Sequence, residues 1–153
     1  MGKFKFGPVQ KLWLEQLKKY PERQTRGILG VGNPRNYEAC CLGELLLCKY
    51  RVAKKKLPFS EMGCIVEEGR YGSGSILHRS FDSVGLTDKK GTIRFSKIPD
   101  EADLHYSSLN KLSNTGNVRN HKSLTVLNDL GMSWPDIADF VERFPEAVFI
   151  KSV

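Results

Sequence analysis

The fold is decided by residues 36–53, which read NYEACCLGELLLCKYRVA. Apolar side chains recur there at helical spacing, and the leucines among them make most of the helix surface apolar. This pattern predicts a helix from residue 36 to about residue 53 that lies at the centre of the core. Glu44 falls on the apolar stripe, where a carboxylate is costly unless it is paired. The sequence leaves open whether Glu44 lies at the rim of the stripe or is buried with a partner.

Helices are also predicted on both sides of this stretch. The first covers residues 8–20, because a proline suits the first turn of a helix and apolar residues follow at helical spacing. Near the other end, residues 122–130 form a second helix, which Gly131 is placed to end. Ser133 is placed to cap the next helix, with Asp136 in the capping-box position. These signals predict a C-terminal helical hairpin.

The remaining segments are short and contain many turn residues. A further helix is predicted to begin at Asp100, with Ala102, Tyr106 and Leu109 on one side. Short strands are predicted at residues 27–32, 62–66, 75–78, 94–96 and 147–150.

Together these elements predict an α+β fold and a single domain over residues 1–153. The length suits one domain. We expect the central helix to pack on the C-terminal hairpin, beside a small irregular antiparallel sheet. No stretch approaches the roughly 20 apolar residues that span a bilayer, and the N-terminus lacks the apolar run of a secretory signal. We therefore expect no membrane association.

The cysteines and histidines do not predict a metal site. Cys40 and Cys41 are adjacent and point in different directions on a helix, and no Cys-x-x-Cys pair is present. The three histidines lie far apart in the sequence. Free cysteine is among the most buried residue types, so we expect core thiols in a reducing compartment. No metal or other cofactor is predicted.

Charge is distributed unevenly along the chain. Residues 1–60 contain thirteen Lys/Arg and four Asp/Glu, a balance of +9. Residues 61–120 contain eight of each, and residues 121–153 contain three basic and five acidic groups, a balance of −2. A strongly cationic half attracts polyanions. The chain is thus expected to bind an anionic nucleotide, a nucleic acid or an acidic protein.

The C-terminal hairpin has the outline of a DNA-reading helix–turn–helix, but its charges oppose that function. Its second helix would present Asp136, Asp139 and Glu142 to the phosphates, which would weaken binding. We therefore interpret it as a packed hairpin. Asn128 and Asp129 are weak helix formers near a helix C-terminus. They are expected either to bond the amides of residues 131–133 or to contact a ligand.

Two stretches resemble a known group of proteins. Residues 37–46, YEACCLGELL, and residues 127–142, LNDLGMSWPDIADFVE, are similar to motifs of a family of uncharacterised small bacteriophage and prophage proteins. An N-terminal amphipathic helix, as at residues 8–20, also belongs to that pattern. The resemblance covers about half of the chain in three blocks. It implies a phage accessory protein that acts in the host bacterial cytoplasm, and it supplies no catalytic residues.

The leading functional hypothesis is a non-catalytic binder that counters a host defence, either by sequestering an anionic nucleotide signal or by masking an acidic host protein. We expect docking on the cationic half, near Arg26, Arg35 and the loop that contains Arg70. The candidate ligand-binding residues are Arg26, Arg35, Arg70, Arg79 and Arg119 for the anion, Tyr37, Tyr71 and His121 for stacking or hydrogen bonds, and Asn128 and Asp129.

Two alternatives remain open. The basic N-terminal half could bind nucleic acid, which a steep loss of affinity with added salt would reveal. An enzyme is the weaker alternative, because none of the familiar catalytic motifs is present. His121 with Asp129, or Glu44 with Cys48, could still form an acid–base pair. Self-association into a homo-oligomer also stays open.

Overall fold

A computed structural model describes residues 3–27, 29–57, 66–67, 70–71, 84–88, 90–109 and 116–153, the two short pairs by their backbone alone. The elements in chain order are α1 (Pro8–Lys19), β1 (Gly30–Asn33), β2 (Asn36–Ala39), α2 (Cys41–Val52), β3 (Val66–Glu67), β4 (Arg70–Tyr71), α3 (Leu124–Asp129), α4 (Trp134–Arg143) and α5 (Pro145–Val148). Short 3-10 turns lie at Pro21–Arg23, Phe95–Lys97 and Val118–Asn120.

Helix α1 confirms the predicted N-terminal helix. Pro8 occupies its first turn, and Val9, Trp13, Leu14 and Leu17 are buried. The indole Nε1 of Trp13 donates a hydrogen bond to the carbonyl oxygen of Cys41 over 2.7 Å. This bond fixes α1 against the start of α2, and α1 also packs on α4.

Strands β1 and β2 form an antiparallel hairpin in which Gly30 pairs with Ala39 and Gly32 with Tyr37. Residues 36–39 are therefore a strand, and the prediction that the central helix begins at residue 36 is wrong. The burial of Tyr37 and Ala39 alternates with the exposure of their neighbours, which is the two-residue period of a strand. Pairing across the turn outweighed the helical spacing of the same side chains.

Helix α2 begins at Cys41, because the thiol of Cys40 accepts a hydrogen bond from the amide of Gly43 over 3.3 Å and caps the first turn. Every residue from Cys41 to Cys48 is buried, so α2 is the central helix that the sequence predicts. A Cβ atom at position 43 would overlap the carbonyl oxygen of Leu29. The glycine thus lets the backbone before β1 lie directly on α2.

The C-terminal hairpin is confirmed in most details. Gly131 ends α3 with φ +93°, and the hydroxyl of Ser133 accepts a hydrogen bond from the amide of Asp136 at the start of α4. The predicted capping box is incomplete, however. The carboxylate of Asp136 accepts a hydrogen bond from Ser108, whose hydroxyl also accepts one from the amide of Ser133 over 2.9 Å. Ser108 therefore supplies the second half of the cap.

Three further predictions need correction. The helix predicted from Asp100 is absent from the described residues 100–109, where the backbone of His105 pairs instead with Asn117. Residues 95–97 form a 3-10 turn instead of a strand. Residues 145–148 form α5, which Pro145 begins, and only Phe149 makes a bridge, to Leu86. The buried apolar residues of these segments are Leu104, Tyr106, Leu109, Ala147, Val148 and Phe149, whereas Phe95 and Ala102 are only partly buried. Residues 62–65 and 75–78 lie outside the described residues.

The buried residues of α1, the hairpin, α2 and the C-terminal helices form one hydrophobic cluster. Its largest fully buried side chains include Trp13, Trp134, Phe140 and Phe149. As predicted, α2 packs on the C-terminal hairpin, and the whole is an α+β domain with small antiparallel hairpins. Within the described ranges, every helix is too short or too polar to cross a lipid bilayer.

Candidate functional site: an arginine cluster around Tyr37

Three charged side chains, one from the turn after α1 and two from α2, meet at the hydroxyl of Tyr37. This hydroxyl donates to Oε2 of Glu44 over 2.7 Å. It accepts hydrogen bonds from Nη2 of Arg51 over 2.7 Å and from Nη1 of Arg23 over 3.0 Å. We call Arg23, Tyr37, Glu44 and Arg51 the Tyr37 cluster. It holds two guanidinium groups and one carboxylate, so its net charge is positive.

Glu44 is fully buried and paired, which resolves the two alternatives that the sequence left open. Its Oε1 lies 2.7 Å from Nη1 of Arg51, two helical turns along α2. Its position in the first turn of α2 also favours a carboxylate, because the helix dipole is positive there. A buried carboxylate with both oxygens engaged is compatible with a stable core.

The cluster also determines the protonation of its members. Burial and the Glu44 charge raise the pKa of Tyr37 to about 12. Burial opposes the charge of Arg51, but its hydrogen bond to Tyr37 and the nearby Glu44 carboxylate together raise its pKa. At neutral pH the phenol of Tyr37 therefore stays protonated and donates a hydrogen bond to the Glu44 carboxylate, while the guanidinium of Arg51 stays charged.

Arg23 is held differently from Arg51. Its guanidinium carbon lies 4.0 Å from the ring centroid of Tyr20 and 4.6 Å from that of Tyr37. Among the described residues, no carboxylate lies within ion-pair distance of it. Arg23 is only half-buried. Its charge therefore adds to the surface without local compensation.

Arg26 and Arg35, two of the predicted anion contacts, are exposed near this cluster in the chain. Arg26 follows Arg23 by three residues, on a segment that bonds to β2 through the amide of Thr25 and the carbonyl of Ala39 (2.9 Å). Arg35 lies in the turn before Tyr37, where its amide donates to Asn33. We call Arg23, Arg26, Arg35 and Arg51 the arginine surface.

Arg119 and His121 lie elsewhere. Nη2 of Arg119 donates to the carbonyl oxygens of Pro99 over 2.7 Å and Asp100 over 3.3 Å. These bonds hold the loop at residues 99–100 in place. Nε2 of His121 is buried and has no hydrogen-bond partner within the described part of the chain. Arg79 lies outside the described residues, as do the side chains of Arg70 and Tyr71 in β4.

Asn128 and Asp129 join two distant parts of the chain. Oδ1 of Asn128 accepts from the amide of Cys41 over 3.1 Å and from Nε2 of Gln24 over 3.0 Å, and its Nδ2 donates to the carbonyl of Thr25 over 2.7 Å. Oδ1 of Asp129 accepts from the amide of Gly27 over 3.1 Å. Of the expected bonds to the amides of residues 131–133, the structure shows one, from the amide of Gly131 to the backbone carbonyl of Asn128 over 3.2 Å, whereas the two side chains bond other parts of the chain.

The Asn128 contacts help to position the segments that carry the arginine surface. Asn128 is fully buried and anchors residues 24–25, next to Arg23. It also bonds the start of α2, which carries Glu44 and Arg51. Residues 37–46 and residues 127–142 therefore meet at this bond, and together they position the segments that form the site.

The described cysteines are buried and engaged in the core. Burial raises the pKa of the Cys40 thiol to about 11 and raises those of Cys41 and Cys48 as well. These thiols are protonated at neutral pH, so none is a ready nucleophile. Among the residues that the structure describes, no group of three His, Cys, Asp or Glu side chains is placed to hold a metal ion.

A cavity of about 600 Å³ lies between the N-terminal segment and the end of α4. Phe4, Phe6 and Phe144 form part of its wall, and its charged lining comprises Lys3, Lys97 and Arg143 against Glu142 and Glu146, a net charge of +1. The Tyr37 cluster has the same net charge, but its two guanidinium groups converge on one hydroxyl, whereas Arg143 of the cavity is engaged by Tyr106 and Asp103. The arginine surface is therefore the better candidate site for an anion.

Sequence reasoning missed Arg23 and Arg51. Arg51 follows Glu44 by seven residues, which places both on one face of a helix, and this spacing could have identified the pair. Nothing local identifies Arg23. Comparisons with protein-family models, curated proteins and solved structures found no match for this chain.

Proposed function

We propose that this protein is a non-catalytic binder of an anionic ligand and that the ligand docks on the arginine surface. The observation that carries the proposal is the convergence of two guanidinium groups on Tyr37 with a single carboxylate to balance them. Arg26 and Arg35 add two exposed charges on the chain segments that continue from Arg23 and lead into Tyr37. A cationic surface that is partly buried is screened by salt less than an isolated exposed charge.

An anionic nucleotide signal is the ligand class that this chemistry favours. Guanidinium groups match phosphate geometry, and the rings of Tyr20 and Tyr37 contribute aromatic surface beside them. The resemblance to small phage proteins suggests the setting, a phage accessory protein in the bacterial cytoplasm. There it would counter a host defence by sequestering the nucleotide or by masking an acidic host protein.

Nucleic acid is the second candidate ligand. The supporting observation is the run Lys54, Lys55 and Lys56, which is exposed directly after α2. A continuous cationic strip that includes this run would neutralise several phosphates. Such binding would weaken steeply with added salt, in proportion to the number of phosphates contacted.

Binding to mononucleotides and to short DNA and RNA, measured calorimetrically at low and at physiological salt, tests the proposal. The double variant Arg26→Glu/Arg35→Glu should weaken nucleotide binding by more than tenfold, because each hydrogen bond to a charged group contributes about 1.5–3 kcal/mol. The matched control, Lys90→Glu/Lys97→Glu, makes the same change of charge at exposed positions elsewhere and should have a much smaller effect.

The alternative outcomes of these binding measurements lead to different conclusions about the ligand. Equal, small losses in both double variants would contradict a site on the arginine surface and indicate a general field. Steep salt dependence with tight oligonucleotide binding would favour nucleic acid. If the double variant Asp136→Asn/Asp139→Asn abolishes capture of a protein partner, that partner is basic and the proposal fails.

A further inference from the structure

Arg23 has the features of a preorganised anion receptor. Its guanidinium lies between the rings of Tyr20 and Tyr37, and Nη1 is fixed by the hydroxyl of Tyr37 over 3.0 Å. Arg23 is partly exposed, and among the described residues no hydrogen bond engages its Nε or Nη2. The edge formed by these two nitrogens is the one that binds two oxygens of a single anion.

The two rings and the hydroxyl remove most of the motion that a free arginine would lose on binding. A flexible arginine carries about 2 kcal/mol of rotamer entropy, and part of this opposes every contact that it makes. In Arg23 the folding of the protein has already fixed the guanidinium. A ligand that binds the Arg23 guanidinium therefore loses less of its binding free energy to ordering the side chain.

The charge around Arg23 favours a dianion over a monoanion. Arg51 donates to the same Tyr37 oxygen as Arg23, so both positive charges lie beside one point. Glu44 balances only one of them, and it is fully buried behind the phenol. A phosphoryl group with two negative charges gains more from this field than a carboxylate with one.

We propose that Arg23 binds a terminal phosphoryl group through Nε and Nη2, with Arg51 as the second charge. This inference rests on the proposed function and specifies its ligand as a phosphomonoester. The phosphomonoester can belong to a mononucleotide or to the end of an oligonucleotide. Both sources present the same dianionic group, and they are separated by the probes used.

The test compares Arg23→Lys with Arg143→Lys by titration calorimetry. Arg23→Lys keeps the charge but loses the planar pair of donors, so it should weaken binding of adenosine monophosphate at least tenfold. Arg143→Lys is the matched control, since the guanidinium of Arg143 also lies over an aromatic ring, that of Phe144, and donates to a tyrosine hydroxyl, that of Tyr106, but it is not part of the arginine surface. It should change affinity less than twofold. Tyr20→Leu, which alters no charge, should weaken binding severalfold by releasing the guanidinium.

Binding of different small molecules and oligonucleotides tests the phosphoryl group separately from the role of Arg23. Adenosine and acetate should bind at least tenfold more weakly than adenosine monophosphate, and comparable binding would overturn the phosphoryl assignment. Oligonucleotides with and without a 5′ phosphate distinguish the two sources of the group. Equal small losses in Arg23→Lys and Arg143→Lys would overturn the receptor while leaving the proposed function intact. If the unaltered protein binds none of the anions, the proposed function fails as well.

Discussion

Among the described residues, two tyrosine hydroxyls lie between a carboxylate and an arginine, and their surroundings differ. Tyr37 donates to Glu44 over 2.7 Å, and Tyr106 donates to Asp139 over the same distance. Arg143 donates to the hydroxyl of Tyr106 over 3.0 Å, much as Arg51 does to that of Tyr37. We call Tyr106, Asp139 and Arg143 the Tyr106 cluster.

The difference between the clusters lies in burial and in charge. The Glu44 side chain is 0% exposed and 2.7 Å from Arg51, whereas Asp139 is 56% exposed and 3.8 Å from Arg143. Water can therefore replace the contacts of Asp139 but not those of Glu44. The Tyr37 cluster also holds an additional arginine, while the Tyr106 cluster lies beside the carboxylate of Asp136. Similar bonding thus gives one cluster with a cationic excess and one without.

The acidic residues of α4 also have an internal role in the Tyr106 cluster. Asp139 bonds Tyr106, Asp136 bonds Ser108, and Arg143 donates to the carbonyl of Asp103 over 2.8 Å. This face of α4 therefore packs on residues 103–108. The packing supports the interpretation that the C-terminal hairpin is structural.

The largest expected effect is that of Glu44→Gln. The amide can still accept from Tyr37, but Arg51 loses its counter-charge in a buried environment. We expect the free energy of unfolding to fall by about 3 kcal/mol, near the lower end for breaking a buried pair because Arg51 is partly exposed. Asp139→Asn, the equivalent change in the Tyr106 cluster, should cost less than about 1 kcal/mol. Urea unfolding measures both, and equal losses would remove the distinction between the clusters.

The next effect is on stability at alkaline pH. The pKa of Tyr37 is about 12 in the folded protein and about 10 in the unfolded chain. Between these values the unfolded chain loses the phenolic proton while the folded protein keeps it, so stability falls as pH rises. The contribution of Tyr37 is complete below about pH 10, and the loss through the window should be about 2–3 kcal/mol.

Tyr37→Phe isolates this contribution. The variant should be less stable near neutral pH, because Glu44, Arg51 and Arg23 lose the hydroxyl. Its stability should then decline less steeply than that of the unaltered protein between about pH 10 and 12. Buried Cys40 and Cys48 titrate in both proteins, so the difference between the two urea-unfolding curves is the quantity to compare. Parallel curves would show that Tyr37 does not titrate as proposed.

The smallest expected effect on stability is that of Arg23→Gln. Within the described residues Arg23 has no carboxylate partner, so its removal leaves no buried charge uncompensated. The loss of its ring contacts should cost about 1 kcal/mol or less in thermal or urea unfolding. If Arg23→Gln lowers the free energy of unfolding as much as Glu44→Gln does, Arg23 is needed for the structure of the cluster. Its guanidinium would then not be a free group that is available to bind a ligand.

The elements that the sequence predicted well depend on local interactions. Helix α1 begins at Pro8, α3 ends at Gly131 and α4 is capped by Ser133, as expected. Each of these features needs only contacts within a few residues, such as a hydroxyl that reaches the third amide along the chain. The apolar character of α2 similarly required it to be buried, whatever lay around it.

The strand at residues 36–39 shows where local reasoning ends. Tyr37 and Cys40 fit the spacing of a helix, but Tyr37 pairs with Gly32 across a turn, and Cys40 caps the helix that follows. The sequence contains both possibilities. The pairing of β1 with β2 and the close approach of Leu29 to Gly43 select the strand.

The candidate site was only partly foreseeable for the same reason. Composition indicated a cationic half, and Arg26, Arg35 and Tyr37 could be named from the sequence alone. Which arginine is paired and which is left with an open edge depends on contacts across the fold. The bond between Asn128 and Cys41, 87 residues apart, helps to position those segments. Charge is a property of each residue, whereas its compensation depends on neighbours that only the tertiary structure brings within reach.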